Sequence, residues 1–570
     1  MPQQRRKVAF SGKKKKDQIL QKRSSKGQPK YLRSTQESNE DSDAPERIVD
    51  KKLMEQPLTR GRNKNVNRYN LQFIQESKKE IELMKQEGFR PLDILTPTQR
   101  EIDERYFEAY DFPVRPPWTF DQSKEQLERN ENRYFKEYVD ELLQTKRNNL
   151  KEHSLFELNL ETWRQLWRVL EFSDILLIIV DVRYASLMFP PSLYDYIIHT
   201  IKKQAIVIFN KVDLVAAEAV VAWRHYFNER YPELPVVLFA SYSMRSQKGT
   251  QRSRFQRAHR QSMEGVHNIY RECQKIVEND VDLSAWLQKI RDDMCTDELD
   301  DDEATTNNQG ESRISNVTET TPHQHVKYNS GVLTIGCIGF PNVGKSSLIN
   351  ALKGRKVVSV SRTPGHTKHF QTIFLVPNVR VCDCPGLVFP SSTPKSLQVL
   401  LGSFPISQLQ VPYRSLKLLA EHVNLPQRLR LHLPEEYDEW SAIAIADAWA
   451  YKRGFLTAKA ARPDRYRAAN HILRLCLSGQ QQLIFQLYPP GYVDNRKSWS
   501  EHPDLAEVKK YQVHNYEPDG ETNEDTSSIC SDSEDSYDEN SSNDETNADD
   551  DESDDQVLRS RNAFRLLDDN

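Results

Sequence analysis

The most regular pattern of apolar and polar positions lies in the middle of the chain. Between 160 and 170, leucine and tryptophan recur every three or four residues, so one face of a helix would be buried. Short apolar runs rich in β-branched residues follow, which is typical of strands buried on both faces. These runs are 175–180, 205–209, 236–239, 332–338 and 379–382. Since helical stretches separate most of them, the pattern predicts an α/β fold, a three-layer arrangement with helices on both faces of a parallel sheet.

The regions around this core show other patterns. Helices are predicted at 70–87 and 122–147, and the proline-rich stretch 112–118 between them is stiff and extended because proline fixes φ. A further helix is predicted near 262–278. From 395 to about 490 the pattern is helical again.

Composition limits how much of the chain can fold. Hydrophobic residues make up 37% of the 570 residues, which is low for a chain that packs throughout. The formal charge of −4 hides an uneven distribution of charge along the chain. Residues 1–33 hold twelve Lys and Arg against one Asp, whereas 517–555 hold eighteen Asp and Glu and no Lys or Arg. We therefore expect disorder at both termini and in an acidic insertion at about 295–327.

The same data exclude several classes of protein. No apolar run approaches the roughly 18–20 residues that span a bilayer, and the lysine-rich N-terminus lacks the apolar segment of a secretory signal. Seven scattered cysteines favour reduced thiols inside the cell. Cys382 and Cys384 lie close together, but no second Cys/His pair has ligand spacing, so we interpret them as strand cysteines and not as a zinc site.

A phosphate-binding motif follows the predicted strand 332–338. Residues 339–346 read GFPNVGKS, which fits the pattern G-x-x-x-x-G-K-S, and a helical stretch comes next. The backbone N–H groups of such a loop can wrap phosphates, the Lys345 ammonium can neutralise the β- and γ-phosphate oxygens, and the Ser346 hydroxyl can bind Mg²⁺. The predicted nucleotide-binding residues of this loop are Gly339, Pro341, Asn342, Val343, Gly344, Lys345, Ser346 and Ser347.

A second motif, D-x-x-G, closes the predicted strand 379–382. Asp383 is expected to hold Mg²⁺ through water, and the N–H group of Gly386 to contact the γ-phosphate. Between the two motifs, a threonine hydroxyl can complete the Mg²⁺ shell; we assign this to Thr367, with Thr363 as the alternative. The groups predicted to act at the transferred phosphate are thus Lys345, Thr367 and Gly386.

A third motif, N-K-x-D, selects the base. Asn210, Lys211 and Asp213 directly follow the predicted strand 205–209. The Asp carboxylate can accept hydrogen bonds from guanine N1 and N2, donors that adenine lacks, so adenine would leave a buried charge unpaired. Lys211 would lie over the base. A similar stretch at 279–282 lacks both the lysine and a preceding strand and is not a base-binding motif.

The order of these motifs is unusual. In ordinary GTPases the phosphate loop comes first, whereas here 210–213 precedes 339–346. A parallel sheet tolerates this permutation because all the loops emerge at the same carboxyl edge. The chain after D-x-x-G, which senses the γ-phosphate, then runs directly into the helical region. We therefore expect residues 395–490 to read out the nucleotide state.

With these motifs the chain resembles the circularly permuted GTPases related to bacterial ribosome-assembly GTPases and to nucleostemin. The resemblance covers about 155–495. It rests on the segments 160–175, 189–197, 210–214, 220–227, 339–350, 354–372, 382–387 and 458–470. The family's usual D-A-R-x-P is replaced by DVRYA at 181–185, which puts little in doubt about the fold.

The resemblance implies a circularly permuted P-loop GTPase with a C-terminal helical domain and disordered termini. The predicted organisation is a basic disordered segment 1–66, a charged helical linker 67–154, the GTPase domain 155–390, the helical domain 391–495 and an acidic disordered tail 496–570. Ala240 and Ser241 are placed as the weak Ser/Thr-Ala motif beside guanine.

The resemblance also implies slow intrinsic turnover. Leu387 stands where many GTPases carry a glutamine that orients the attacking water, and leucine cannot hydrogen-bond water. A bound K⁺ or a ribosomal partner would then orient it. Asn342 matches the phosphate-loop asparagine that coordinates K⁺ in related enzymes; the alternative is an asparagine that only shapes the loop.

The basic segments predict an RNA partner. For the N-terminus we weigh RNA contact and a nuclear or nucleolar address against a solvated tail. In the helical domain the alternative is a solvated helix face. The candidate rRNA contacts there are Lys452, Arg453, Lys459, Arg462, Arg465 and Arg467.

The acidic tail contains serines with an acidic residue three positions later, a pattern that resembles the sites of acidophilic kinases. The tail either mimics nucleic acid or only keeps the protein in solution. These serines are Ser531, Ser536, Ser541 and Ser542.

The sequence thus predicts a protein that binds GTP and GDP with Mg²⁺, and K⁺ as a further ion. We expect it to hydrolyse GTP slowly as a switch in ribosome biogenesis, in the nucleus or nucleolus with shuttling to the cytoplasm. The expected partner is a pre-ribosomal particle or rRNA, with no membrane and no readout of DNA sequence. A GTP-dependent signalling or scaffold protein without a ribosomal role is the alternative.

Overall fold

The computed structural model describes residues 78–108, 110–119, 121–148, 154–241, 252–295, 326–360, 371–457, 462–479 and 483–512. Several predictions lie outside these residues. They are the basic segment 1–66, nearly all of the acidic insertion at 295–327, Thr363, Thr367, Lys459 and the tail beyond 512 with its four serines.

A six-stranded sheet forms the centre of the fold. Its strands are β1 (Ile175–Asp181), β2 (Gln204–Asn210), β3 (Val236–Leu238), β4 (Leu333–Ile338), β5 (Gln371–Val376) and β6 (Val379–Asp383). Their order across the sheet is β3-β2-β1-β4-β6-β5. All neighbouring pairs are parallel except β5 and β6, and Ile175 of β1 pairs with Gln204 on one side and Ile335 on the other. The predicted α/β class and the five predicted strands are confirmed.

The helices surround this sheet. They are α1 (Lys78–Glu87), α2 (Lys124–Asn148), α3 (Leu160–Phe172), α4 (Pro191–Asp195), α5 (Ala217–Arg230), α6 (Arg252–Val277), α7 (Ser284–Cys295), α8 (Lys345–Lys353), α9 (Lys395–Leu400), α10 (Tyr413–His422), α11 (Leu425–Arg428), α12 (Ala442–Arg453), α13 (Arg465–Ser478), α14 (Arg496–Ser500) and α15 (Leu505–Lys509). No helix in the described part of the chain is long and apolar enough to cross a membrane.

The topology explains why helices cover both faces. From β1 to β3 the chain steps in one direction across the sheet, whereas from β3 to β4 and on to β6 it steps in the other. Since parallel crossovers are right-handed, the two directions place their helices on opposite faces. Accordingly α5 packs on β3, α8 packs on β6, and α6 contacts α8 on the same face.

Within residues 160–390, three elements differ from the sequence-based expectation. The strand β5 was not predicted, because it is an antiparallel edge strand whose positions are only partly buried. The helix α6 begins at Arg252, ten residues before the expected start, so part of the basic stretch is helical. The helix α7 was also missed, because it is short and has only two fully buried hydrophobic side chains, Trp286 and Ile290, which leave a weak periodic pattern.

Residues 496–512 form part of the folded unit. The expected tail begins at 496, but α14 and α15 follow there, and Val508 and Tyr511 are buried. The side chain of Gln512 donates to the carbonyl of Val212 at 2.9 Å. The chain therefore stays packed against the sheet domain until at least residue 512.

The segment 78–108 lies against the C-terminal helices. The carbonyl of Gly88 accepts from the Ile443 N–H group at 3.1 Å, and a Cβ atom on Gly88 would lie 2.8 Å from that of Tyr413. Farther along, the Ile102 N–H group donates to the carbonyl of Tyr488 at 2.8 Å. This part of the predicted linker is thus bonded to the helical region.

Candidate nucleotide site

The phosphate loop joins β4 to α8, and two glycines give it its shape. Gly339 has φ of +148° and Gly344 has φ of +102°, angles that favour glycine. A Cβ atom on Gly339 would lie 2.5 Å from the carbonyl of Ile179, and one on Gly344 would overlap the Asn210 amide nitrogen. Side chains at these positions would open the loop, so its curvature and its packing both require glycine.

Lys345 is the first residue of α8 and is buried. Its ammonium donates to the carbonyls of Gly339 at 3.0 Å and Phe340 at 2.6 Å. Burial lowers the pKa of Lys345, and the nearby Asp383 carboxylate opposes that shift. The ammonium is therefore held inside the curve of the loop, at the start of a helix whose free N–H groups attract anions.

Asp383 ends β6 beside the phosphate loop and is almost fully buried. The Ser346 hydroxyl donates to its Oδ2 at 3.5 Å, whereas Oδ1 has no hydrogen-bond partner among the described residues. Burial raises the pKa of Asp383 to about 6. A buried, unsatisfied carboxylate oxygen beside a hydroxyl fits a hard cation such as Mg²⁺, which takes oxygen ligands. Asp383 and Ser346 would hold Mg²⁺, and the ion would supply positive charge to neutralise the phosphates.

Asn210 joins the base-binding motif to the phosphate loop. It ends β2, and its amide donates to the carbonyl of Val343 at 2.6 Å. Its Oδ1 accepts from the Lys211 N–H group at 2.8 Å and from the Ser241 hydroxyl at 3.1 Å. Asn210 therefore holds three nucleotide loops together, including the one after β3 that contains Ala240 and Ser241.

Lys211 and Asp213 lie on the turn after β2. Lys211 has φ of +64°, and its ammonium donates to the carbonyl of Asn342 at 2.8 Å. Burial raises the pKa of Asp213 to about 6, although the positive charge of Lys211 partly offsets this. A carboxylate with such a raised pKa gains when it accepts hydrogen bonds, as it would from guanine N1 and N2.

Gly386 and Leu387 follow Asp383 at the phosphate loop. A Cβ atom on Gly386 would lie 2.7 Å from the Cα atom of Pro341, so the D-x-x-G turn contacts the loop closely. The Leu387 side chain is 2% exposed and belongs to the hydrophobic core. The position next to D-x-x-G therefore offers no polar group to a water molecule.

Comparison with known proteins identifies the family to which the chain belongs. A model described as "50S ribosome-binding GTPase" matches residues 334–406, which contain the phosphate loop and D-x-x-G. Guanine nucleotide-binding protein-like 1 of Mus musculus is 44% identical over 467 residues, which cover 78% of this chain and 76% of that protein. The chain belongs to the guanine nucleotide-binding protein-like 1 family.

Other relatives are similar as well. The human guanine nucleotide-binding protein-like 1 is also 44% identical over 467 residues, with the same coverage. Large subunit GTPase 1 homolog of Mus musculus is 28% identical over 450 residues, which cover 70% of this chain and 69% of that protein. Among solved structures, GNP-bound YlqF from T. maritima has 17% identity and a TM-score of 0.32, covering 57% of this chain and 97% of that chain.

As a member of this family the protein is a GTP-binding P-loop GTPase. Its guanine motif lies on β2, ahead of the phosphate loop in the chain, and only β1 separates β2 from β4 in the sheet. The predicted circular permutation is therefore confirmed. The permuted order leaves the three motifs at one edge of the sheet, where nucleotides bind in open α/β folds.

One residue beside the site, Asp181, was not assigned from the sequence, and for Asn342, which was assigned, the contact with Gly402 was not predicted. Asp181, at the end of β1, pairs with Lys211 at 2.7 Å. Asn342 has φ of +59°, and its amide donates to the carbonyl of Gly402, beyond α9, at 2.9 Å. The signal for Asp181 was present in DVRYA at 181–185, which was noted only as a departure from the family pattern. The partner of Asn342 lies sixty positions away and leaves no local signal.

The candidate RNA contacts divide into two groups. Arg465 pairs with the buried Asp447 at 2.8 Å, and Lys452 donates to the carbonyl of Leu429 at 2.8 Å, so both make internal bonds. Three further candidates lie on the surface: Arg453 over the ring of Trp449, Arg467 over that of Phe455, and the exposed Arg462. Lys452 is exposed as well, but its ammonium is bonded to backbone carbonyls, so Arg453, Arg462 and Arg467 are the stronger candidates on the described surface.

Proposed function

We propose that this GTPase turns over slowly by itself and acts as a switch in ribosome biogenesis, activated by a pre-ribosomal particle. The observation that carries the proposal is Leu387, which is buried in the core directly after D-x-x-G. Orientation of the attacking water is a main part of GTPase catalysis. Because leucine cannot supply it, another group must, and a partner that supplies it would make hydrolysis depend on assembly.

The names of the relatives support a ribosomal partner. The matching family model is described as "50S ribosome-binding GTPase", and the name of Large subunit GTPase 1 homolog refers to a large subunit. The exposed cations Arg453, Arg462 and Arg467 are suited to phosphate groups of rRNA, which attract arginine without regard to sequence. On this proposal the protein works in the nucleus or nucleolus, and an acidic-directed kinase acts on its tail.

Contact between the phosphate loop and the helical region supports a readout of nucleotide state. Asn342 donates its amide hydrogen to Gly402 O at 2.9 Å, so a change in the phosphate loop reaches the residues just after α9 directly. We include K⁺ in the proposal, with Asn342 as its ligand through Oδ1, because cations are coordinated by oxygen and the amide nitrogen is already engaged. Thr367 would complete the Mg²⁺ shell.

GTP turnover of the full-length protein in KCl, with and without purified pre-ribosomal particles, tests the proposal. We expect a low basal rate and an acceleration by particles of at least about a thousandfold, the lower end of the range that activating partners give to other GTPases. The variant Arg453→Glu/Arg467→Glu should lower the ratio of stimulated to basal turnover. Lys345→Ala, which removes the phosphate-binding ammonium, is the control for contaminating GTPases.

Two outcomes would count against the proposal. If particles leave turnover unchanged while GTP still binds, the protein is better described as a signalling or scaffold GTPase. If Lys345→Ala retains both GTP binding and turnover, the site assignment is wrong. Replacement of KCl by NaCl separates the K⁺ role: turnover that is equal in both salts removes K⁺ from the mechanism but leaves the partner dependence intact.

A further inference from the structure

A buried cluster of charges lies directly behind the guanine motif. Asp181 and Arg183 are each 1% exposed. The guanidinium of Arg183 binds the Asp181 carboxylate through two nitrogens, at 3.0 Å and 2.8 Å, and Lys211 binds the same carboxylate at 2.7 Å. One carboxylate therefore neutralises two cations that would otherwise repel each other away from water.

The charge of Asp181 is well supported by its surroundings. Burial alone would raise the pKa of Asp181, but the charges of Arg183 and Lys211 outweigh burial and hold the pKa well below its ordinary value. The Tyr184 hydroxyl adds a bond to Asp181 Oδ2 at 3.3 Å. The carboxylate is thus ionised at neutral pH and held in place by its partners.

The position of Lys211 depends on this carboxylate. Its ammonium makes two bonds, one to Asp181 and one to the carbonyl of Asn342 in the phosphate loop. With both bonds in place, the aliphatic part of the side chain extends across the cleft between the base-binding turn and the phosphate loop. Without Asp181 the ammonium would face Arg183, and repulsion would push it out of that position.

The same cluster is attached to the helical region. An Arg183 guanidinium nitrogen donates to the carbonyl of Cys476 on α13 at 3.4 Å, and the Arg183 carbonyl accepts from the Leu487 N–H group at 2.7 Å. The Tyr184 hydroxyl, whose one hydrogen is shared with Asp181, also lies 3.4 Å from the carbonyl oxygen of Leu401, next to Gly402. The helical region is therefore bonded to the residues that hold Lys211.

We propose that Asp181 is a positioning residue for guanine nucleotides: it fixes Lys211 over the base site and, through Arg183 and Tyr184, links that site to the C-terminal helices. Nucleotide occupancy then reaches the helical region through the base as well as through the γ-phosphate. GDP, which lacks the γ-phosphate, is consequently sensed as different from an empty site.

The test measures the dissociation constant of GDP for full-length variants. Asp181→Asn keeps the shape of the side chain but removes its charge, and we expect it to weaken GDP binding at least about tenfold. Lys211→Met should weaken it by a similar factor. The double variant should bind no more weakly than Lys211→Met alone, because Asp181 acts through Lys211. Additive effects of the two changes would overturn the proposal.

Asp447→Asn is the matched control. Asp447 is equally buried and also binds an arginine through two short contacts, but it lies in the helical region. It should lower thermal stability as Asp181→Asn does, while GDP affinity stays within about twofold. If both variants weaken GDP binding equally, the effect is a general loss of stability and the proposal fails.

A comparison of GDP with IDP shows whether Asp181 acts through Lys211 or through Asp213. IDP lacks the guanine N2 donor that Asp213 would bind, so wild type should prefer GDP to IDP. Asp181→Asn should weaken the binding of GDP and of IDP by the same factor, because Lys211 contacts the base without recognising N2. If the preference for GDP over IDP were lost instead, the effect would lie at Asp213 and the proposal would be overturned.

A second variant serves if Asp181→Asn does not fold. Tyr184→Phe removes only one hydroxyl and should weaken GDP binding about threefold. Unchanged affinity would contradict the link.

Discussion

The nucleotide edge of the sheet and the basic surface of the helical region use charge in opposite ways. At the nucleotide edge the ionisable groups are enclosed, and burial raises the pKa of both Asp213 and Asp383 to about 6. On the helical region Arg453 and Arg467 lie on the surface, each over an aromatic ring. The enclosed groups can read one ligand in one geometry, whereas the exposed cations suit an extended, negatively charged partner.

The largest effect that we predict concerns the enclosed nucleotide site. Gly344 has φ of +102°, and the methyl group added by Gly344→Ala would overlap the Asn210 side chain. The variant should therefore weaken GDP binding by about a hundredfold or more. The physical reason is that the Asn210–Val343 bond, which joins the base-binding turn to the phosphate loop, cannot survive the overlap. Isothermal titration of GDP measures the effect.

Gly331→Ala provides the matched control for this variant. Gly331 also has positive φ, at +71°, but a Cβ atom there would meet nothing within 4 Å. It carries the conformational strain without the overlap, so GDP affinity should stay within about twofold of wild type. Equal losses in both variants would show that backbone strain, and not contact with Asn210, governs the loop.

The pH dependence of stability should be next in size. Asp383 has a pKa raised to about 6 in the folded protein, above its ordinary value, so between about pH 4 and pH 6 the folded state binds a proton that the unfolded state does not. Without nucleotide and Mg²⁺, stability should therefore fall by about 2 kcal/mol as the pH rises from 4.5 to 6.5. Chemical denaturation of wild type and Asp383→Asn measures this as a difference.

GDP binding should respond to pH with the opposite sign. The carboxylate of Asp213 must be ionised to accept from guanine, and burial raises its pKa to about 6. GDP affinity should therefore weaken as the pH falls below about 6, in the range where the nucleotide-free protein gains stability. An affinity that stays constant down to pH 5 would contradict the role of Asp213 as an acceptor.

A smaller contrast is expected within the basic surface itself. Arg465→Met leaves the buried Asp447 without its cation and should cost about 1–2 kcal/mol of folding free energy, since Arg465 is partly exposed. Arg467→Met should cost less than about 0.5 kcal/mol, because it removes only a surface contact with Phe455. Urea denaturation measures both.

For RNA binding, the substitution of Arg467 should have the larger effect and that of Arg465 the smaller. Arg467→Met should reduce the slope of the RNA affinity against salt concentration by about 0.7, the contribution of one phosphate contact. Arg465→Met, whose guanidinium is engaged with Asp447 and Tyr437, should leave the slope closer to that of wild type. If Arg465 dominates the slope, the division into internal and accessible cations is wrong.

Much of the sheet could be predicted because its strands are short, apolar and buried on both faces. All seven residues of β1 are buried, and such a run has few alternatives. The nucleotide loops could be located too, since their function requires fixed residue types at fixed spacing. The edge strand β5 was missed because its partly exposed positions leave a mixed pattern.

Contacts between distant residues were not predictable. Asn342 with Gly402 and Arg183 with Leu487 join positions far apart in the chain, and nothing in the local pattern marks either partner. The basic stretch 452–474 was interpreted as one group, but the pairing of Arg465 with Asp447 depends on how α12 and α13 pack. Local periodicity cannot supply that information.

The permuted strand order also determines how long β1 waits for its partner β4 during synthesis of the chain. β1 lies in the middle of the sheet, yet Ile175 pairs with Ile335, which is 335 − 175 = 160 residues later. At about 5–20 residues per second, that partner is made roughly 10–30 seconds after β1. During this interval β1, β2 and β3 can pair, but one side of a strand with seven buried residues stays bare. The newly made half-sheet is therefore prone to pair with other chains until β4 arrives.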